Sequence, residues 1–180
     1  MKDDTRLRHT YQGSCEILQE LGYLEKGTIP PIPDHRPQYD DDEPLGVSFF
    51  RTFVGEGGLE NLTLPRTSFA KSEVGPVSFK NTDLSESTLC WNDFNGVDFT
   101  DADLSRSDLR SSIFASSVFV RANLQDTDLR RSSFEDCDFT GADMRGAKLT
   151  FEQGHDLPLS EEQRREMDWQ ESDGEEPPGG

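Results

Sequence analysis

Apolar positions along this chain recur every five residues. Starting at Phe49, the register reads Val54, Leu59, Leu64, Phe69, Val74, Phe79, Leu84, Leu89, Phe94 and Phe99. It continues with Leu104, Leu109, Phe114, Phe119, Leu124, Leu129, Phe134, Phe139, Met144 and Leu149. Apolar residues make up 32% of the chain, so a run of this length has a chance of about 1 in 10^10. A period of five matches neither the 3.6-residue face of a helix nor the two-residue alternation of a strand. It describes a chain that runs straight briefly, turns a corner and repeats.

A small residue stands two positions before each large one, as in Thr82, Ser87, Ala102, Ser107, Ser112, Ser117, Ala122 and Ala142. Residues two apart in extended backbone point the same way, so each unit aims one large and one small side chain inward and three residues outward. From Phe79 to Phe139 the large residues alternate in strict pairs of Phe and Leu, which returns like residues every 20 positions. Four units per coil would stack Leu84, Leu104 and Leu124 on one face and Phe94, Phe114 and Phe134 on another. Coils about 4.8 Å apart then bury their core against their neighbours, as in a solenoid.

Units such as Ala102-Asp103-Leu104-Ser105-Arg106, Ala122-Asn123-Leu124-Gln125-Asp126 and Ala142-Asp143-Met144-Arg145-Gly146 resemble the A(D/N)LXX unit of the pentapeptide-repeat proteins. The resemblance covers roughly residues 60–150. It implies an all-β fold, a right-handed quadrilateral β-helix, and it leaves function open because members of the family do many things. Some of them mimic the shape and charge of duplex DNA and protect a bacterial type II topoisomerase, DNA gyrase.

Three segments follow from the pattern. Residues 1–46 form an N-terminal extension. In it Ser14 is predicted to cap a short helix carrying Ile17, Leu18 and Leu21, with Gly22 at its end, which covers the open end of the rod. Pro30, Pro31, Pro33, Pro37 and Pro44, with the acidic run Asp40–Glu43, predict an extended linker. Residues 47–151 form the β-helix, with an irregular first coil where Leu62 takes a small site and Pro65 and Pro76 interrupt the ladder. Residues 152–180 supply a C-terminal cap, a helix from Ser160 to about Gln170 with Gln163 completing a capping box, and an acidic tail, 173–180, expected to be disordered.

Charge changes the picture of partners. The net charge is −18, yet residues 64–150 hold 14 acidic and 10 basic residues, net −4. A nucleic-acid binder needs a basic stripe, and direct nucleic-acid binding is not expected. With no apolar run of 18 residues and no leader pattern, a cytoplasmic, non-membrane protein is expected. Cys137 occupies an inward site, Cys90 an outward one, and Cys15 lies outside the repeats, which predicts no disulfide framework. The histidines, His9, His35 and His155, are scattered outside the repeats, and the aspartates before each large residue follow the repeat itself. Asp108 with Arg110 and Asp128 with Arg130 read as a charge ladder between coils. No catalytic residue, cofactor or metal site is therefore expected, and the chain does not read as an enzyme.

Two function classes remain. The first is a protein-binding module, immunity- or adaptor-like, whose solenoid docks on and blocks or scaffolds a protein partner, with a second copy of the chain as another occupant. Its candidate surface is the outward apolar set Ile113, Val118, Val120 and Trp91, where interface energy would concentrate. The second class, implied by the family resemblance, is the DNA mimic that protects DNA gyrase, with Asp98, Asp101 and Asp138 as its acidic face.

Overall fold

The computed structural model describes residues 7–39, 41, 45–55 and 58–172. The chain is a parallel β-solenoid of about six turns. Register partners are 20 residues apart throughout, as in Phe49↔Phe69, Phe94↔Phe114 and Leu149↔Trp169. One face carries a five-stranded parallel sheet in the order β2 (Phe53–Val54), β4 (Glu73–Val74), β5 (Asp93–Asn95), β6 (Ile113–Ala115) and β7 (Ser133–Glu135). Strand β1 (Ser48–Phe50) pairs with β3 (Ser68–Ala70), and β8 (Lys148–Thr150) pairs with β9 (Asp168–Gln170). The other faces are joined by isolated parallel bridges such as Asp98↔Val118 and Asp103↔Asn123. No helix among the described residues is long and apolar enough to cross a membrane.

The five-residue register is the core. Of its members all but Phe134 are buried, and Phe134 is half-buried against the cluster. The Phe–Phe–Leu–Leu pairing gives the four faces different fillings. Phe94 and Phe114 stack at 4.7 Å and Phe114 and Phe134 at 5.1 Å. On the next face Phe99 and Phe119 stack at 5.1 Å and Phe119 and Phe139 at 4.9 Å. The two columns meet edge to face, Phe114 against Phe119 at 5.5 Å, a favoured aromatic arrangement. Leucines fill most of the two remaining faces, with Phe49 stacked on Phe69 at 4.5 Å in the first coils and Met144 near the end.

The small inward residues carry a second ladder. Ser112 Oγ donates to the Leu89 carbonyl at 2.7 Å and accepts from the Asn92 amide at 3.1 Å. Thr127 Oγ1 donates to the Leu104 carbonyl and Ser107 Oγ to the Leu84 carbonyl in the same manner. A hydroxyl here satisfies backbone groups that the corner would otherwise strand in an apolar interior.

Corners fall at the second residue after each large one, where the backbone is left-handed. Arg51, Asn61, Lys71, Trp91, Asp101, Ser111, Arg121 and Arg131 all have φ between 49° and 63°. L-residues adopt this region at a cost. Here the corner amide is held by the next coil, as in Arg106 N–H to the Gln125 carbonyl at 2.8 Å.

The N-terminal helix differs from the sequence expectation by one turn. Helix α1 spans Tyr11–Glu20 with Thr10 as its cap, and Ser14 lies inside it. Ser14 Oγ instead donates to the Thr10 carbonyl and accepts the Thr63 amide at 2.8 Å, so it joins helix to first coil. Cys15 and Leu18 are buried in the core cluster, and Gly22 follows the helix with φ 84°. The helix is thus a cover for the rod end.

The C-terminal cap also departs from expectation. Helix α2 (Phe151–His155) begins directly after β8, and α3 (Glu161–Glu166) ends before β9, where a continuous helix to Gln170 was expected. Trp169 pairs in register with Leu149 and stacks on Phe151 at 5.1 Å, so packing on the rod overrides helix continuation. Both helices have capping boxes, Thr150 with Gln153 and Ser160 with Gln163. The expected disordered tail, 173–180, and most of the acidic run at Asp40–Glu43 lie outside the described residues.

Candidate docking surface

Register places the outward residues in rows. On the five-stranded face, the row before the core residue reads Phe53, Glu73, Asp93, Ile113 and Ser133. Beside it runs a corner row, Arg51, Lys71, Trp91, Ser111 and Arg131, all left-handed. Phe53 is 63% exposed, Trp91 56% and Ile113 54%. Phe50, 54% exposed, adjoins them with the Arg51 guanidinium 5.2 Å over its ring. The two rows and the adjoining Phe50 therefore bring four exposed apolar or aromatic side chains to one corner, on a backbone held by ladder bonds.

The proline-rich segment lies on the rod, crossing from the corner row of Arg66 and Arg106 to reach this corner at Tyr39. Arg66 Nη1 donates to the Pro33 carbonyl at 2.7 Å, Arg36 Nη1 donates to the Arg106 carbonyl at 3.0 Å, and Thr88 Oγ1 donates to the Pro37 carbonyl. Pro33 and Pro37 are buried. The segment ends with the Tyr39 ring 6.1 Å from Trp91. Cys90, an outward position by register, is buried beneath it. Burial pushes its thiol up to about 12, with Asp108 adding to the effect.

Tyr39 divides two clefts. One, of about 280 Å³, is lined by Pro37, Tyr39, Phe50 and Ala70 among others. The other, of about 330 Å³, is lined by Tyr39, Lys71, Ser72, Glu73, Trp91 and Asp93.

Of the four apolar candidates named from sequence, Trp91 and Ile113 share this surface, one coil and two positions apart. Val118 and Val120 sit on the adjacent face and are half-buried. Sequence reasoning missed Phe50 and Phe53, which lie in the irregular first coil, and Tyr39, which arrives from the linker. The signal for the first two was present: both are large apolar residues in outward slots.

Of the aspartates of the acidic candidate face, Asp98 and Asp138 share a row with Val118 between them, and Asp98 and Asp101 are paired with cations. Asp101 receives both Arg121 Nε and Nη2, at 2.8 and 2.9 Å. Asp98 lies 3.1 Å from Lys80 Nζ. Its burial opposes ionisation, yet the Thr100 hydrogen bonds and Lys80 hold its carboxyl below the usual range. Asp138 is exposed, and Thr140 hydroxyl and amide bonds lower it likewise. Asp108 and Asp128 are gripped by Arg110 and Arg130 of their own units, at 2.7 and 2.8 Å. The contact between coils, Arg110 to Asp128, is 3.8 Å, so the expected ladder is chiefly a set of pairs within units. Among the described residues no group of three or more His, Cys, Asp or Glu is placed to hold a metal.

Comparison with known proteins agrees with this geometry. The sequence pattern of the family described as pentapeptide repeats matches residues 77–110 and 117–150, in eight copies. No curated protein matches the chain. Among solved structures, a pentapeptide repeat protein (Rfr23) from the cyanobacterium Cyanothece 51142 is similar at 19% identity and a TM-score of 0.45. That match covers 57% of this chain and 63% of the other, so this chain spans less than two thirds of that protein. A pentapeptide repeat protein of the Arabidopsis thaliana thylakoid lumen is 29% identical with a TM-score of 0.35, over 62% of this chain and 69% of that one. QnrB1, a plasmid-mediated fluoroquinolone resistance protein, is 19% identical with a TM-score of 0.43, over 73% and 67%. With its five-residue core register, four faces per coil and eight matched copies, the stretch from residue 77 to residue 150 is a run of pentapeptide repeats.

Proposed function

We propose that this chain is a non-catalytic protein-binding module that docks on a protein partner, and blocks or scaffolds it, through the corner carrying Trp91. The carrying observation is that Phe50, Phe53, Trp91 and Ile113 are all exposed around one corner of the rod, with Glu73 and Asp93 between Phe53 and Ile113. Aromatic anchors surrounded by polar groups are where binding energy concentrates, and a rigid ladder presents them without the ordering cost a loop would incur.

The competing reading is the DNA mimic that protects DNA gyrase. Its support is the overall acidity. Against it stands a magnitude: duplex DNA carries one charge per about 1.7 Å of axis, so about 20 Å of rod would call for about 12 negative charges. Residues 64–150 are net −4, and Asp98 and Asp101 are already paired.

Affinity for a captured partner as a function of salt tests the choice. A docking module holds its partner with little change between 50 and 300 mM salt and loses it on Trp91→Ala. A mimic loses it steeply with salt, is weakened by Asp98→Asn, Asp101→Asn and Asp138→Asn, and competes with DNA for gyrase.

A further inference from the structure

The cleft between Tyr39 and Trp91 has the composition of a cation site. The two rings are tilted at 42° with centroids 6.1 Å apart, so they open as a wedge instead of stacking shut. The floor supplies Glu73 and Asp93, register partners on neighbouring strands, both exposed. Like charges directly opposite on adjacent strands repel, and no described Lys, Arg or His lies within 4 Å of either carboxylate. Glu86, Asp98, Asp101, Asp108, Asp128 and Asp143 of the regular coils differ, each with a cation at salt-bridge distance. What sets Glu73 and Asp93 apart from acids such as Asp83 and Asp103 is that they line a cleft with two aromatic rings.

We infer that this cleft receives an arginine side chain of the docked protein. The inference rests on the docking reading above. A guanidinium stacks on aromatic faces and bonds carboxylates through its planar fork. It would relieve the Glu73–Asp93 repulsion, and about 330 Å³ accommodates the group with its stem. The wedge has one wall on the rod and one on the N-terminal segment, so the site exists only while that segment is docked. Lys71 also lines the cleft, so with Glu73 and Asp93 the lining is net negative by one charge, enough for one guanidinium.

Trp91 reports the test. Trp169 is stacked on Phe151 and bonded to the Arg164 carbonyl, so Trp169→Phe leaves Trp91 as the sole indole. In that background, acetyl-Gly-Arg-Gly-amide is titrated against Trp91 fluorescence. The glutamine analogue, the lysine analogue and tetramethylammonium serve as comparisons. The expected result is a saturable millimolar response to the arginine peptide, at least fivefold weaker for each comparison. It drops about tenfold in Tyr39→Ala and in Glu73→Gln/Asp93→Asn, and is unchanged in Asp98→Asn. An equal response to the glutamine peptide or to tetramethylammonium, or full retention in Glu73→Gln/Asp93→Asn, overturns the assignment. The peptide measurement does not use the partner, so its failure is separable from failure of the docking reading. If Glu73→Gln/Asp93→Asn still captures the partner at full affinity, the cleft assignment falls while the docking surface stands.

Discussion

Gln163 Nε2 donates to the Phe139 carbonyl at 2.8 Å, and to the Ala142 carbonyl at 3.0 Å. In the regular coils an inward hydroxyl from the following turn does this work, as Thr127 does for Leu104. Gln153, ten residues earlier, treats the Leu129 and Ser132 carbonyls likewise. The two capping boxes thus end the ladder by imitating the coil that is not there. Gln163→Leu strands two buried carbonyls, and each such group costs about 1–3 kcal/mol. Urea unfolding is expected to show a loss of about 2–6 kcal/mol for the two together. An unchanged midpoint would mean that these bonds do not close the rod.

Phe114 is fully buried between Phe94 and Phe134, whereas Ser116 is exposed at a corner. Phe114→Ala is expected to cost about 3–5 kcal/mol and Ser116→Ala less than about 0.5 kcal/mol. Equal losses by denaturant titration would contradict the register.

Most of this rod was legible from spacing. A five-residue period constrains which side chains face inward, and the paired Phe and Leu fix four units per coil. The left-handed corners were not legible, because residues such as Arg106 and Trp91 are not ones that favour positive φ. Their conformation is imposed by bonds from the next coil. The docking corner was half legible. Trp91 and Ile113 stand out as apolar residues in outward slots, but Tyr39 joins them through a linker whose path no local pattern encodes. Ser14 misled for a related reason: it looked like a cap and instead serves a tertiary hydrogen bond to Thr63.

The position of the N-terminal segment has a chemical readout. Cys90 is buried beneath it, so a thiol reagent is expected to label Cys90 slowly in the full chain. Deleting residues 28–41 uncovers Cys90, and labelling followed by peptide mass mapping is expected to accelerate at least tenfold. Equal rates would show that the segment does not lie on this face.

Stability is expected to be flat between about pH 5 and 8 and to fall on both sides. Arg145 holds the Asp143 carboxyl below the usual range, and Asp128, despite the opposing effect of its burial, is held low by Arg130. An acid depressed in the folded state contributes stability above its unfolded pKa, ordinarily 3.8, and loses it as pH falls through the folded value. Burial raises the Cys90 thiol from 9.0 to about 12, so its contribution is present below pH 9 and is lost between 9 and 12. Melting temperature against pH checks both limbs, and Cys90→Ala is expected to soften only the alkaline one.

The central claim is the choice of face. A benzophenone side chain placed at Ser133, the register neighbour of Ile113, tests it most directly, with Gln125 on the opposite face and Thr100 on the adjacent one as comparisons. Irradiation with the partner bound is expected to give a crosslinked product from Ser133 that disappears in Trp91→Ala, and none from Gln125 or Thr100. Crosslinking from Gln125 or Thr100 in place of Ser133 would contradict the account.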